Sequence, residues 1–355
     1  MKTNINSILA IETSCDETSA SVLKENEVLS NVISSQLFHS AYGGIVPELA
    51  SRAHITIIDD IVKSALDESK MKISDIDLVC ATQGPGLIGS LLVGYNYGKA
   101  IAVAGNKSFL GINHIESHLY SCFIGSEKII FPFIALIVSG GHTILFVVEN
   151  YFKYKIIGET QDDAAGEAFD KGAKMLGLGY PGGPEIEKLA LNGNDKFHEF
   201  PVSFIKDNIY SFSFSGIKTS LLYYLRKNFP DYKTVEGRKN LPINDISASY
   251  QKAIVKSLVD KTISAAKNFG INIIAVSGGV SSNSLLRSEF HEYEKSGYKI
   301  HFPEKKYSTD NAAMVGYTAY LKAKHGNLKE YEFMDSLFEK AFPRFNYDDI
   351  SRKSV

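Results

Sequence analysis

The 355-residue sequence predicts a duplicated α/β fold of two lobes with a cleft between them. Three observations carry that expectation. A run of three strand-like segments followed by helix, strand and helix occurs twice along the chain. The two runs share no close sequence repeat, and Gly/Ser turns stand directly after several of the most apolar segments.

In the first half, residues 7–11 are apolar and end at the turn-rich Glu12-Thr-Ser-Cys-Asp-Glu-Thr18. Residues 19–23 and 28–34 follow with β-type alternation between short polar breaks. Pro47 suits the first turn of a helix, where its missing N–H costs nothing, and Leu49, Ala53, Ile57 and Ile61 continue at helical spacing. A buried-type strand at 76–81, a Gly-rich turn, a helix at 87–104, a short strand at 108–112 and a helix at 114–123 complete this half. The second half opens with strands at 133–138, 143–148 and 153–158, then helices at 164–176 and 185–191. Residues 192–240 carry mixed charge and read as a looser stretch. A long helix at 243–268, a strand at 273–277, a helix from 282, a strand at 299–302 and a helix from 311 finish the pattern. The expected division is one lobe over 1–128 and a second over 129–330, whose last helix can pack back on the first. An irregular charged and aromatic tail follows over 331–355.

Composition narrows the class without naming a function. Hydrophobic residues make up 44% and charged residues 22%, ordinary for a globular domain. The longest apolar runs, such as 131–138, are too short to span a bilayer, and the N-terminal apolar stretch soon meets Glu12 and Asp16, unlike a cleavable signal. The expectation is a cytoplasmic chain with no membrane segment, or an organellar one in a eukaryotic source. Cys15, Cys80 and Cys122 lie far apart with no CxxC spacing and read as reduced thiols. A net charge of −2 does not advertise nucleic-acid binding, so such contact must come from a local patch or from partner proteins. The best local cations are Lys171, Lys174 and Lys218.

Three turns follow apolar strands: Glu12–Thr18, Val138-Ser-Gly-Gly-His142 and Val276-Ser-Gly-Gly-Val280. Glycines there let backbone N–H groups approach an anion, although a tight hairpin also needs glycine. Two such Ser-Gly-Gly turns fit a nucleotide held between lobes. The chain lacks G-x-x-x-x-G-K-[ST], and strand–SGG–strand differs from a dinucleotide-binding strand–GxGxxG–helix unit.

His114-Ile-Glu-Ser-His118 places two histidines at i and i+4 on one helix face, a spacing suited to chelating one metal ion. Glu116 stands two residues from each, on roughly the opposite side. That disfavours the protease arrangements in which glutamate adjoins a histidine. Asp310 sits at a helix start, where the local reading is an N-cap or first-turn carboxylate, although a carboxylate is also the natural partner of two imidazoles on a metal. Asp162 and Asp163 read as caps of the helix they precede. Glu167 and Asp170 share a face, and Phe212-Ser-Phe-Ser-Gly-Ile-Lys218 reads as a turn.

Taken together, these motifs resemble the TsaD family over nearly the whole chain. The matching stretches, in order, are ILAIETSCDETS, YGGIVPELASRAH, GPGLIGSLLVG, NHIESH, LIVSGGHT, DDAAGEAFDKGAKMLGLGYPGGP, FSFSGIKT, VSGGVSSNSLLR and STDNAAMVG. The resemblance implies the actin-like ATPase (ASKHA) fold. It also implies transfer of threonylcarbamoyl from threonylcarbamoyl-AMP to N6 of the adenosine 3′ of the anticodon in tRNAs reading ANN codons, with release of AMP. It further implies that His114, His118 and Asp310 bind a divalent metal, usually Fe(2+), with Zn the other choice. Val138, Ser139, Gly140, Gly141, His142, Asp170, Gly183, Glu187 and Asn283 would contact the adenylate, and TsaB- and TsaE-type proteins would be partners. Glu187 departs from the aspartate of many relatives, and Phe342-Pro-Arg-Phe-Asn346 departs from their Pro-Arg-Trp-Pro. A phosphotransferase on the same fold, or a non-catalytic nucleotide-binding scaffold, would leave the histidine pair without a task.

Overall fold

The computed structural model describes residues 5–126, 129–202, 205, 208–326 and 338–344. The first half contains β1 (Ser7–Glu12), β2 (Glu17–Lys24), β3 (Glu27–Ser35), α1 (Pro47–Ser69), β4 (Leu78–Gly84), α2 (Ile88–Gly105), β5 (Ser108–Asn113) and α3 (His114–Ser121). Next come β6 (Phe133–Val138), β7 (Thr143–Asn150), β8 (Lys153–Glu159), α4 (Ala165–Leu176), α5 (Gly182–Ala190), α6 (Ser215–Asn228) and α7 (Val235–Lys239). The chain continues with α8 (Ile243–Phe269), β9 (Ile273–Ser277), α9 (Ser284–Glu292), β10 (Lys299–His301) and α10 (Ala312–His325).

The duplication is written in the sheets. The first sheet runs β3-β2-β1-β4-β5 and the second β8-β7-β6-β9-β10, the same order with β6 standing for β1. In each, the first three strands are antiparallel neighbours and the last two join in parallel. Both faces of each sheet are covered, which is why SILAIE and FIALIV are apolar almost throughout rather than alternating with polar residues.

Alternation still decides which core each side chain joins. Leu9 and Ile11 point outward to Ile58 and Val62 of α1, whereas Ile8 and Ala10 point inward. In the second sheet Ile134, Leu136 and Val138 meet the core that includes Ile217 of α6 and Ile254 and Leu258 of α8. Phe133, Ala135 and Ile137 turn the other way and share one core with Ile8, Ala10, Leu119 of α3 and Met314 and Tyr317 of α10. Helices α3 and α10 therefore lie between the sheets. Lys322 of α10 pairs with Glu116 of α3 at 2.8 Å, with both side chains largely shielded from water.

Three expectations are corrected. Residues 192–240 are not merely loose: α6 buries Ile217, Leu221 and Leu225 at fourfold spacing, and Thr234 caps α7 by accepting from the Gly237 amide. Asp162 does not cap α4, whose preceding residue Ala164 offers no side-chain bond. It accepts instead from Ser213 Oγ at 2.5 Å, from the amides of Phe214 and Ser215, and from Ser215 Oγ, so it fixes the start of α6. The expected helix from 282 begins at Ser284, after a 3₁₀ turn over Gly279–Ser282.

Candidate active site and metal centre

Helix α3 starts where β5 ends, with Asn113 as its cap: the side-chain oxygen accepts from the amides of Ile115 and Glu116. That cap fixes the first turn and hence His114 and His118, whose rings meet edge to face at 4.7 Å. Asp310, just before α10, brings a carboxylate oxygen to 3.0 Å from His118 Nε2 and 3.7 Å from His114 Nε2. One donor atom from each of the three residues falls within 4.8 Å of the others, a span one ion can bridge.

The surroundings suit a metal. His114 Nδ1 is 3.2 Å from both Glu12 Oε2 and Ser14 Oγ, which orients the ring and leaves Nε2 toward Asp310. Glu12 is itself held by Thr82 Oγ1 and by the Ser14 amide. His118 Nδ1 is buried without a hydrogen-bond partner among the described residues. Glu116 takes no part; its Oε1 accepts from Tyr154. Burial opposes charge at all three groups of the cluster that shift. Even so, Asp310 and Glu12 raise the His114 imidazole to about 9, while His114 draws Glu12 down and His114 with His118 draws Asp310 far down. Two imidazoles and a carboxylate in a buried, preoriented cluster fit a divalent ion.

Beside this cluster opens a cleft of about 1030 Å³. That is the upper end for small-molecule sites and gives room for more than one nucleoside. Ser139, Gly140, Gly141 and His142 form one stretch of wall; Asp170, Gly183, Glu187 and Asn283 form another. Asp16, Glu17 and Leu37 line the side belonging to the first sheet. The β6–β7 turn is tied by Ser139 N to His142 O at 2.8 Å and His142 N to Ser139 Oγ at 3.1 Å. A Cβ at Gly140 or Gly141 would meet nothing within 4 Å, because these positions face the open cleft. The second Ser-Gly-Gly turn differs. Gly278 has φ +91°, and a Cβ there would run into the Val138 backbone carbonyl, so this glycine is required by the fold. Burial pulls the His142 imidazole down to about 4, which keeps it neutral.

A family model described as TsaD, tRNA N6-adenosine threonylcarbamoyltransferase, matches residues 27–317. The chain belongs to the TsaD family. Membership of TsaD makes it an acyltransferase that places a threonylcarbamoyl group on N6 of a tRNA adenosine. The tRNA N6-adenosine threonylcarbamoyltransferase of Kosmotoga olearia is 47% identical over 90% of this chain and 94% of its own. That of Chloroherpeton thalassium is 49% identical, with 90% and 93% covered, and that of Clostridioides difficile is 50% identical, with 88% and 91% covered. Solved structures show the fold again. HypF of T. kodakarensis superposes with TM-score 0.58 at 15% identity over 94% of this chain and 49% of its own. Component A of Acidaminococcus fermentans (R)-2-hydroxyglutaryl-CoA dehydratase gives 0.53 at 16% identity, with 90% and 99% covered. These are neighbours in the duplicated actin-like fold expected from the TsaD motifs. Among the described residues no helix is long and apolar enough to cross a membrane.

Most of the residues expected in a TsaD site lie on the cleft; the exceptions are Val138, wholly buried behind the turn, and His118, buried behind His114 and Asp310. Several also have structural work. Asp170 accepts from the Gly182 amide at 2.7 Å, Glu187 Oε1 from the Ser284 amide and hydroxyl, and Asn283 caps α9 while donating to Gln251. Lys171 and Lys218 both pair with Asp163 at 2.6 Å. Sequence reasoning missed Glu12 and Ser14, which support His114, and Asp16, Glu17 and Tyr180, which line the cleft. The dense polar run after β1 was the signal that could have found the first four.

Proposed function

We propose that the cleft binds threonylcarbamoyl-AMP as the donor and receives the tRNA adenosine beside it. The observation that carries this is the pairing, in one cleft, of a glycine turn open to the cleft with a buried two-histidine, one-carboxylate cluster. The Ser139–Gly141 amides would hold the phosphate, and α4, whose Gly166 amide donates to Ser139 O, backs the turn with a helix N-terminus. Asp170, Gly183, Glu187 and Asn283 would take the nucleoside. His114, His118 and Asp310 would hold the metal, and Fe(2+) suits that donor set. A divalent ion there supplies Lewis-acid polarisation of a carbonyl and a template for orientation.

The chain's own part is positioning. The mixed anhydride is already activated with AMP as leaving group, so the residues need only hold it and admit the exocyclic amine at bonding range. In the transfer the N6–carbon bond forms, the carbon–oxygen bond to phosphate breaks, and AMP departs as the amine loses a proton. Neutral His142 can accept a hydrogen bond, but at about 4 it is too weak a base to carry that proton at neutral pH. TsaB- and TsaE-type proteins are the partners that fit a chain whose candidate tRNA-binding lysines Lys171 and Lys218 are already paired with Asp163. The reading is tested by incubating the metal-loaded chain and partners with unmodified tRNA and synthetic threonylcarbamoyl-AMP, then analysing nucleosides. Stoichiometric AMP and threonylcarbamoyladenosine are expected; no modified nucleoside would overturn it.

A further inference from the structure

The tail returns to the first half of the fold. Lys99 Nζ donates to the Glu339 carbonyl at 2.6 Å, Gln83 Nε2 to the Lys340 carbonyl at 3.0 Å, and the Phe342 amide to the Gln83 carbonyl at 3.0 Å. The Gly86 amide donates to the Pro343 carbonyl at 3.3 Å, and Gly84 leaves no room for a side chain beneath Phe342. These contacts set Pro343 and Arg344 on the cleft wall. Arg344 is the only lysine or arginine among the described residues lining the cleft, and it makes no ion pair among them. Asp16, Glu17 and Asp310 line the same cleft.

We infer that Arg344 binds the carboxylate at the threonyl end of the donor, an inference that rests on the cleft being the threonylcarbamoyl-AMP site. The donor carries two anionic groups. Its phosphate is matched by the backbone amides of the Ser139–Gly141 turn. Its carboxylate lies at the other end of the carbamoyl arm, and Arg344 is the one guanidinium among the described residues that line the cleft. A chain of hydrogen bonds links the metal cluster to the segment that carries Arg344. His114 meets Ser14 Oγ at 3.2 Å, Leu87 N donates to the Ser14 carbonyl at 2.8 Å, and neighbouring Gly86 holds Pro343. An arm reaching from the turn past the cluster meets that wall, and a guanidinium matches a carboxylate with two parallel hydrogen bonds. Arg344 is thus a specificity residue that tells the donor from AMP or ATP, neither of which carries the carboxylate.

The test measures binding of three probes to the full metal-loaded chain: AMP, a hydrolysis-stable donor analogue, and the same analogue with its carboxylate reduced to an alcohol. Arg344→Gln should weaken the carboxylate analogue by about tenfold or more and leave AMP and the alcohol unchanged. Arg344→Lys should recover part of the loss. Equal weakening of all three probes would place Arg344 on the phosphate and overturn the inference. So would unchanged binding of the carboxylate analogue, including the case where the KM for tRNA rises instead. Gly140→Val separates the two levels. If it binds the analogue as the natural chain does, the cleft reading itself fails and the inference falls with it. If it loses the analogue while Arg344→Gln does not, only the assignment of Arg344 is wrong.

Discussion

Valine at position 140 is the sharpest probe of the cleft, because the structure separates its effect on ligand from its effect on folding. A Cβ at Gly140 meets no atom within 4 Å, the position does not have positive φ, and it lines the open cleft, so the new side chain starts into free space. The stability change should stay within about 1 kcal/mol, as for surface positions lacking strain or cavity. An amide-to-phosphate bond needs nitrogen and oxygen about 2.9 Å apart, whereas a branched side chain over the turn holds an anion farther off. Losing two charge-assisted bonds of about 1.5–3 kcal/mol each lowers kcat/KM by at least about 100-fold. Gly278→Ala should do the reverse: left-handed backbone and collision with the Val138 carbonyl cost about 3 kcal/mol or more of stability. The assay is transfer of threonylcarbamoyl to unmodified tRNA, with thermal unfolding of the same samples. Wild-type transfer by Gly140→Val with an unchanged melting temperature would refute the placement of the phosphate on this turn.

Other outcomes follow from the same geometry. His114→Ala and Asp310→Ala should each lose bound metal by elemental analysis while keeping the far-ultraviolet circular dichroism of the natural chain; full occupancy in both would remove the cluster from consideration. His142, pulled below the ordinary histidine range by burial, takes up no proton in the folded chain at pH 5, while the unfolded chain does so below about 6.5. Stability present at neutral pH is therefore lost as pH falls through that window, by at most about 2 kcal/mol between pH 7 and 5 given the ring's partial exposure. Urea unfolding of His142→Gln should show a correspondingly flatter dependence, and an identical slope would contradict the shift. Binding of tRNA to the isolated chain should be weak at physiological salt and should tighten when TsaB- and TsaE-type partners are added; nanomolar binding by the chain alone would refute dependence on them.

What the sequence reveals here is what is local or periodic. Strands such as 133–138 and helices such as α8 announce themselves because burial and period coincide along a few residues. Helix α6 carried the same signal at Ile217, Leu221 and Leu225, but the aromatic and serine residues before it read as turn. Asp162 was assigned by a nearest-neighbour rule, and the structure sends it 51 positions along the chain to Ser213 instead. The two Ser-Gly-Gly turns show the limit most plainly. They are identical in letters, yet one turn leaves its glycines facing the open cleft and the other packs a glycine against a carbonyl of its own chain. Only three-dimensional neighbours tell these apart. Arg344 is invisible for the same reason, since nothing near it in sequence says that the tail lies against Gly84 and Gly86.

The cluster of His114, His118 and Asp310 also has an order in time. His118 and Asp310 are 192 positions apart, and Asp310 is held in place by α10, whose first amides donate to Ser19 Oγ and Asn31 Oδ1 of the first sheet. A chain emerging from the ribosome exposes both histidines long before the carboxylate exists. The three-ligand cluster therefore appears only after residue 310 has been made and α10 has docked between the sheets. A nascent or truncated chain would offer a passing ion two ligands instead of three, so metal bound at this site would be a mark of a finished fold rather than a seed for it.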